Sequence, residues 1–342
     1  MWNLTESAFS PIVQNVNGDV KQHLSRIDPE EDEPALALDF SIGLKELGLL
    51  KTSLISEDQG FVFVKSLYPS IAAVQSREEF QHVSLTPTEI IDLLLLWHCQ
   101  LTSTVCGDLA AVLGASQSLR ELDLGGNELG DLGLQLLCEG LKHPSCQLQT
   151  LRLWHCQLTS TVCGDLAAVL GASQSLRELD LGGNELGDLG LQLLCEGLKH
   201  PSCQLQTLRL WHCQLTSTVC GDLAAVLGAS QSLRELDLGG NELGDLGLQL
   251  LCEGLKHPSC QLQTLRLRSC LLTSACCGYL AMALSTNLSM RDLDLSFNRL
   301  EDSGVQLLCE KLKRPDWQLQ TLRGGRKQGG SDHNQMKKHN RS

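Results

Sequence analysis

Aromatic side chains are scarce in this sequence, and so are long apolar runs. Aromatic residues make up 4% of the 342 residues, whereas apolar residues as a whole reach 42%. No apolar stretch approaches the eighteen or so residues that a membrane-spanning helix needs. The start of the chain, MWNLTESAFSPIVQNVNGDV, also lacks the basic start and apolar run of a secretory signal. We therefore expect a cytoplasmic protein that does not bind membranes, with a core built mainly from leucine.

Cysteine is absent from both ends of the chain, and all 16 cysteines lie between Cys99 and Cys309. Their spacing follows an internal repeat, so without an export signal we expect reduced thiols rather than disulfides. No Cys-x-x-Cys pair occurs, and the sequence predicts no metal and no cofactor. A catalytic pair at His98–Cys99 is not expected, because neighbouring residues of an extended chain point to opposite faces.

Positive charge is in short supply over most of the chain, and the formal net charge is −13. Acids outnumber bases 15 to 6 in residues 1–96 and 18 to 9 in 97–267, whereas bases lead 12 to 7 in 268–342. An acidic body argues against specific binding of nucleic acid or of anionic membranes. It favours a protein partner, and a basic one in particular.

The chain contains a long internal repeat instead. Residues 97–153, 154–210 and 211–267 are identical over 57 positions, and a diverged fourth copy runs from Arg268 to Arg323. Identity over this length indicates either recent tandem duplication or faulty assembly of the coding sequence.

Each repeat divides into two similar halves. One half carries Leu119-x-x-Leu122-x-Leu124-x-x-Asn127, and the other carries Leu148-x-x-Leu151-x-Leu153-x-x-Cys156. Leucines two apart lie on one face of a strand, and the stretch that follows has the apolar spacing of a helix. That helical spacing is seen in Val105, Leu109, Val112 and Leu113 and in Leu134, Leu137, Cys138 and Leu141. Neither half can bury its leucines alone, so the sequence predicts stacked strand–turn–helix units in an α/β solenoid.

The pattern LxxLxLxxC-xLT…SLxELDLxxNxLGDxG…LCxGL resembles the ribonuclease-inhibitor class of leucine-rich repeats. In its residue pattern it most resembles the C-terminal repeats of NACHT, leucine-rich-repeat and pyrin-type (NLR) innate immune receptors. The resemblance covers roughly residues 94–323. It implies a curved α/β horseshoe with a parallel inner sheet and outer helices, cytosolic residence and protein recognition.

Two departures limit what the resemblance implies. NLR receptors of this type carry a nucleotide-binding loop, GxxxxGK[ST], but GLKELGLLKT from Gly43 has Leu49 in place of the lysine. Ribonuclease inhibitors have about twice as many repeats as the eight strand units and a stub that the sequence contains. We therefore expect a fragment or variant of a longer receptor, with too short an arc to enclose an enzyme.

Three segments are predicted along the chain. Residues 1–85 are unassigned and partly disordered, with a strand at 61–67 and, as alternatives, a cap on the first repeat or a pyrin or CARD module. Residues 86–323 form the leucine-rich-repeat domain, which opens with a capping box at 86–89. Residues 324–342 are expected to be a disordered basic tail.

The candidate binding site is the face of the sheet that the helices leave uncovered. The position between the paired leucines alternates in charge, through Asp123, Arg152, Asp180, Arg209, Asp237, Arg266 and Asp294. Neighbouring strands lie roughly 4.8 Å apart, so this row is either a self-neutralising surface or a pre-ordered set of charges for a partner. The candidate set also includes Glu121, Glu178 and Glu235.

Tryptophan recurs two positions beyond those charges and alternates with glycine. The order is Trp97, Gly125, Trp154, Gly182, Trp211, Gly239 and Arg268. The indoles either lie flat on the glycines or stand exposed as interface anchors, a role typical of Trp and Arg. The histidines that follow are either solvated or pH-sensitive contacts, at His98, His155 and His212.

The function predicted from these observations is recognition of a protein on the concave sheet, without enzymatic activity. The resemblance places that activity in an NLR-type, inflammasome-related sensor or regulator. A stoichiometric inhibitor of ribonucleases is the alternative, because an acidic face bearing tryptophan suits a basic enzyme. An enzyme is the third class, and the sequence contains no acid/base or nucleotide-binding constellation that favours it.

Overall fold

A single ten-stranded sheet runs through the part of the chain that the computed structural model describes, which is residues 93–311, 319–324 and 335–337. The order of the strands in the sheet follows the chain. The strands are Leu93–Leu95 (β1), Glu121–Asp123 (β2), Thr150–Arg152 (β3), Glu178–Asp180 (β4), Thr207–Arg209 (β5), Glu235–Asp237 (β6), Thr264–Arg266 (β7), Asp292–Asp294 (β8), Thr321–Arg323 (β9) and Gln335–Lys337 (β10). Strands β1 to β9 pair in parallel, and β10 pairs antiparallel to β9.

A helix follows each of the first eight strands, as a parallel sheet requires of its crossover connections. The helices are Cys106–Ala115 (α1), Gly130–Leu141 (α2), Cys163–Ala172 (α3), Gly187–Leu198 (α4), Cys220–Ala229 (α5), Gly244–Leu255 (α6), Cys277–Thr286 (α7) and Asp302–Lys311 (α8). A short 3₁₀ turn precedes α1, α3, α5 and α7. The predicted α/β architecture of a parallel sheet alternating with helices is confirmed.

The paired leucines form the inner row of one continuous core. In β2 the central residue Leu122 pairs in register with Leu151 of β3, and both side chains are fully buried. Leu124, just after β2, is buried as well, as are Leu134 and Leu137 on the inner side of α2. Because every repeat supplies the same leucines, each layer of the core rests on the layer before it.

A buried asparagine satisfies the backbone where every second strand turns away. The Asn184 carbonyl oxygen accepts the Cys156 and Leu158 N–H groups at 2.9 and 3.1 Å. Its amide nitrogen donates to the Leu153 and Leu181 carbonyls at 2.8 Å each. One side chain 1% exposed therefore bridges two neighbouring strand ends. This is the turn role expected of Asn127 and its copies, and Asn127, Asn241 and Asn298 make equivalent bonds.

Several sequence predictions fall on residues outside the described ranges, namely the segment 1–85, its strand at 61–67 and the capping box at 86–89. Within the predicted disordered tail, the structure differs at Gln335–Lys337, which forms β10. Without β10, the last parallel strand, Thr321–Arg323, would leave the backbone groups of its outer edge unpaired. The strand β10 pairs with these groups. Among the described residues, no helix is long and apolar enough to cross a membrane.

Candidate partner-binding face of the sheet

The candidate site is the face of the sheet opposite the leucines, called here the open face. On β2 it carries Glu121 and Asp123, which alternate with the buried Leu122. On β3 it carries Arg152, and Trp154 continues the same face two residues later. The same order recurs in Glu178, Asp180, Arg209 and Trp211, and then in Glu235, Asp237 and Arg266, after which Arg268 takes the place of tryptophan.

Glutamate and arginine form an ion-paired row along the open face. Arg152 donates to the Glu178 carboxylate at 3.2 Å and lies 3.9 Å from Glu121 on its other side. Arg209 likewise bridges Glu178, at hydrogen-bond distance, and Glu235, at 3.4 Å. Burial alone raises the pKa of Glu178, but Arg209 and Arg152 outweigh that effect and hold the pKa below its ordinary value. The contacts of this row are those of a self-neutralising surface.

Asp123 and Asp180 of the open face are buried, whereas Asp237 is half-buried. Asp123 and Asp180 are 8% and 7% exposed, and each accepts the N–H of the glycine two residues later, at 3.0 Å. Burial raises the pKa of Asp123 and Asp237 and raises the pKa of Asp180 to about 6. Of the predicted site residues, these carboxylates support the surface from below.

The tryptophan rings lie flat on glycines of the preceding strand. A Cβ added to Gly125 would fall 2.0 Å from Cε2 and 2.2 Å from Nε1 of Trp154, and Trp211 covers Gly182 in the same way. Only a glycine leaves the ring room to rest on the backbone. Both indoles are half-buried. One ring face is therefore packed against the strand, and the other is turned away from it.

Histidine rings join the tryptophans into a continuous row. His98 lies with φ 51° in the left-handed region, and its ring sits over Gly126. Its centroid is 5.7 Å from that of Trp97 and 5.1 Å from that of Trp154, edge-to-face in both cases. Such geometry is favourable between aromatic rings. The same contacts continue at 6.1, 5.2 and 6.1 Å, so the aromatic row consists of Trp97, His98, Trp154, His155, Trp211 and His212.

The aromatic row changes character at the fourth repeat. Arg268 takes the place of tryptophan, and its guanidinium carbon lies 4.4 Å from the ring centroid of Phe297. Phe297 stands where the earlier repeats have Gly126, Gly183 and Gly240, and it has φ 59°. A cation above an aromatic ring is attracted to the ring face. The row of Trp and His rings therefore ends at a cation–π pair.

The cysteines serve packing and not the open face. The 15 cysteines whose side chains the structure describes are free thiols, and all but Cys99 are buried. Cys156 donates to the Leu124 carbonyl at 3.1 Å, and burial raises its pKa to about 12. A thiol with such a pKa is a poor nucleophile at neutral pH. Within the described ranges, no three His, Cys, Asp or Glu side chains are grouped so that they could hold a metal ion.

The contacts that the histidines and glutamates make on the open face were not predicted from the sequence. The left-handed backbone of His98 and its copies turns the ring along the row, which spacing alone does not predict. The glycine pair Gly125–Gly126 was the available signal, because its two residues leave room for the Trp154 and His98 rings. Arg152 and Glu178 lie on adjacent strands, but the residue directly opposite Arg152 in the register is Asp180. The ion pair between Arg152 and Glu178 is therefore diagonal.

Comparison with known proteins now adds to this geometry. A family model for the leucine-rich repeat matches residues 115–138, 172–195, 229–252 and 286–309. These are leucine-rich repeats. The four matches recur at the 57-residue period of the sequence, and each extends from the end of one helix through a strand and into the next helix.

Among curated proteins, the chain is similar to both groups that its pattern resembles. It is 55% identical over 229 residues to human NACHT, LRR and PYD domains-containing protein 12, which is 67% of this chain and 22% of that protein. It is 50% identical over 227 residues to human NACHT, LRR and PYD domains-containing protein 3, again 22% of that protein. Ribonuclease inhibitor of Sus scrofa is 46% identical over 238 residues, 70% of this chain and 52% of the inhibitor.

The resemblance of the sequence to ribonuclease-inhibitor-like repeats is thereby confirmed. The chain spans about a fifth of the length of the NACHT-containing relatives and about half the length of the inhibitor. The matched part is the repeat region that carries the open face.

Proposed function

We propose that this chain is a non-enzymatic protein-recognition module of an NLR-type innate immune sensor or regulator, and that its partner binds the open face. The aromatic row is the observation that carries the proposal, because three tryptophans lie at fixed places on a rigid sheet. The 55% identity to a NACHT, LRR and PYD domains-containing protein supports the immune setting. Fourteen buried thiols support residence in the reducing cytoplasm.

The energetic argument rests on preorganisation. Trp154 and Trp211 are held by glycines beneath them and by histidines on either side, so binding costs little side-chain entropy. Tryptophan and arginine dominate the hot spots of protein interfaces. The proposed contact set is therefore the aromatic row together with Glu121, Arg152, Glu178, Arg209, Glu235 and Arg266, with Asp123, Asp180 and Asp237 holding it in place.

The charge of the repeats favours a basic partner. Residues 97–267 carry 18 acids and 9 bases, and the Glu–Arg row uses the arginines internally. A basic surface approaching the open face would gain from the remaining negative field, more in its rate of association than in its affinity.

The test is affinity capture from cell extract with the full chain and a double variant, Trp154→Ala with Trp211→Ala. The matched control is Leu189→Ala with Leu246→Ala, which removes side chains 62% and 60% exposed on the helical surface. We expect the tryptophan variant to lose its specific partners at least tenfold while the leucine variant keeps them. Equal recovery by the two variants, with both folded, would refute binding through the open face.

Inhibition of a ribonuclease is the second candidate, and the 46% identity to ribonuclease inhibitor favours it. Titrating a pancreatic-type ribonuclease with the chain under reducing conditions tests it directly. A stoichiometric end point that the tryptophan variant abolishes would replace the receptor assignment. Full ribonuclease activity at a several-fold molar excess of the chain would remove this candidate.

A further inference from the structure

The tryptophans of the aromatic row recur with a spacing that selects one backbone conformation in a partner. They occupy every second strand, and neighbouring parallel strands lie about 4.8 Å apart, so successive indoles lie roughly 10 Å apart. The histidine rings between them, His98 and His155, fill the gaps edge-to-face, with interplanar angles of 69° to 84°. A ligand lying along the row therefore meets one flat indole face per step of about 10 Å.

Among regular peptide conformations, polyproline II matches this step. It has three residues per turn and rises about 3.1 Å per residue, so the same side of the peptide recurs every ~9.3 Å. A β-strand presents one face every ~6.7 Å, which drifts out of phase with the indoles. An α-helix returns every ~5.4 Å, and half of its turns would lie over the histidines.

The aromatic rings and the acidic charge of the surface also favour a ligand in the polyproline II conformation. Proline-rich segments in this conformation dock on surfaces lined by aromatic side chains, and their preformed backbone loses little entropy. The outer face of Trp154 or Trp211 is such a platform, since glycine supports the ring from below. The excess of acids over bases in residues 97–267 favours basic side chains at the positions between prolines.

We propose that the aromatic row binds a proline-rich, basic segment of its partner in the polyproline II conformation, one turn per tryptophan. This inference rests on the proposed function and specifies the partner's chemistry. The row has three tryptophans and then meets the Arg268–Phe297 pair. The segment recognised is therefore about nine residues long, which is three turns.

The test compares three labelled peptides of equal length and charge against the full chain by fluorescence anisotropy and calorimetry. They are (Pro-Pro-Arg)3, (Gly-Ser-Arg)3 and an alanine-rich peptide with three arginines that a side-chain staple holds helical, because an unstapled helix of this length is marginal in water. We expect (Pro-Pro-Arg)3 to bind at least tenfold more tightly than the other two. Equal binding of all three would mean attraction by charge alone, and preference for the helical peptide would mean a different partner conformation. Either result overturns the proposal.

Variants locate the peptide on the aromatic row. Trp154→Ala with Trp211→Ala should weaken (Pro-Pro-Arg)3 at least tenfold, whereas Leu189→Ala with Leu246→Ala on the helical surface should leave it unchanged. A subtler pair is Gly182→Ala, which pushes against the Trp211 ring, and Gly239→Ala, the same position without a tryptophan above it. Only the first should weaken binding. Undiminished peptide binding by the folded tryptophan variant would overturn the proposal.

The outcomes separate this inference from the function on which it rests. If captured partners depend on Trp154 and Trp211 but (Pro-Pro-Arg)3 binds no better than (Gly-Ser-Arg)3, the open face is the binding site and the polyproline assignment is wrong. If partners are captured equally by the tryptophan variant and the peptide also fails, both proposals are wrong.

Discussion

The third repeat and the diverged fourth repeat bury the same framework of side chains. Cys213 and Leu215 are fully buried in the third, as are Cys270 and Leu272 at the same places in the fourth. Asn241 accepts the Cys213 and Leu215 N–H groups at 2.9 and 3.0 Å, and Asn298 accepts the equivalent N–H groups in the fourth at the same distances. The framework is thus independent of the side chains on the open face.

On the open face the same two repeats differ at every aromatic position. Trp211 and His212 become Arg268 and Ser269, and the glycines of the following strand become Ser296 and Phe297. The replacements are coupled, since Phe297 occupies the place of the glycine on which a histidine ring would rest. The leucines, cysteines and asparagines therefore specify the fold, whereas the side chains of the open face can be exchanged as a set.

The largest effect should come from the shared framework and should be the same in both kinds of repeat. Leu215→Ala in the third repeat and Leu272→Ala in the fourth each open a cavity in the common core, because both side chains are fully buried. We expect each to lower the free energy of unfolding by about 3 kcal/mol. Urea denaturation followed by circular dichroism measures both. A loss in one repeat without a comparable loss in the other would break the equivalence of the two frameworks.

The framework could be predicted from the sequence because its signals are local and repeated. Leu122 and Leu124 have strand spacing, Leu134 and Leu137 have helical spacing, and the structure buries all four. The contacts of the open face could not be predicted in the same way. They depend on the left-handed backbone at His98 and on which acidic residue of the neighbouring strand forms the ion pair with Arg152. These are properties of three adjacent strands together, so no single strand's sequence encodes them.

A smaller effect should distinguish the two kinds of repeat at one glycine position. A Cβ on Gly182 would meet Trp211 Cε2 at 2.0 Å, whereas on Gly239 its nearest contact is the Asp237 carboxylate at 3.2 Å. Gly182→Ala should therefore displace the indole and cost about 2 kcal/mol by overpacking. Gly239→Ala should cost well under half of that. Denaturation curves and the tryptophan emission maximum check both changes, and equal costs would mean that the ring does not rest on the glycine.

The smallest effect should be a dependence of stability on pH that arises beneath the aromatic row. Burial raises the pKa of Asp180 from 3.8 to about 6 in the folded protein, so the folded state holds this proton more tightly than the unfolded chain. Its contribution to stability is therefore greatest below pH 4 and is lost as the pH rises through about 6. Asp180→Asn should remove that loss, because its amide oxygen can still accept the Gly182 N–H that Asp180 accepts at 3.0 Å.

The measurement for Asp180 is the free energy of unfolding between pH 4.5 and 7.5 for the wild type, Asp180→Asn and the exposed-site control Glu185→Gln. We expect the advantage of Asp180→Asn over the wild type to grow with pH up to about pH 7 and then level off, while the control stays parallel to the wild type. Parallel curves for all three proteins would mean that water reaches the Asp180 carboxylate. The indoles of the aromatic row would then not seal the strand beneath them, and the contrast between the tryptophan-bearing repeats and the fourth repeat would be one of shape alone.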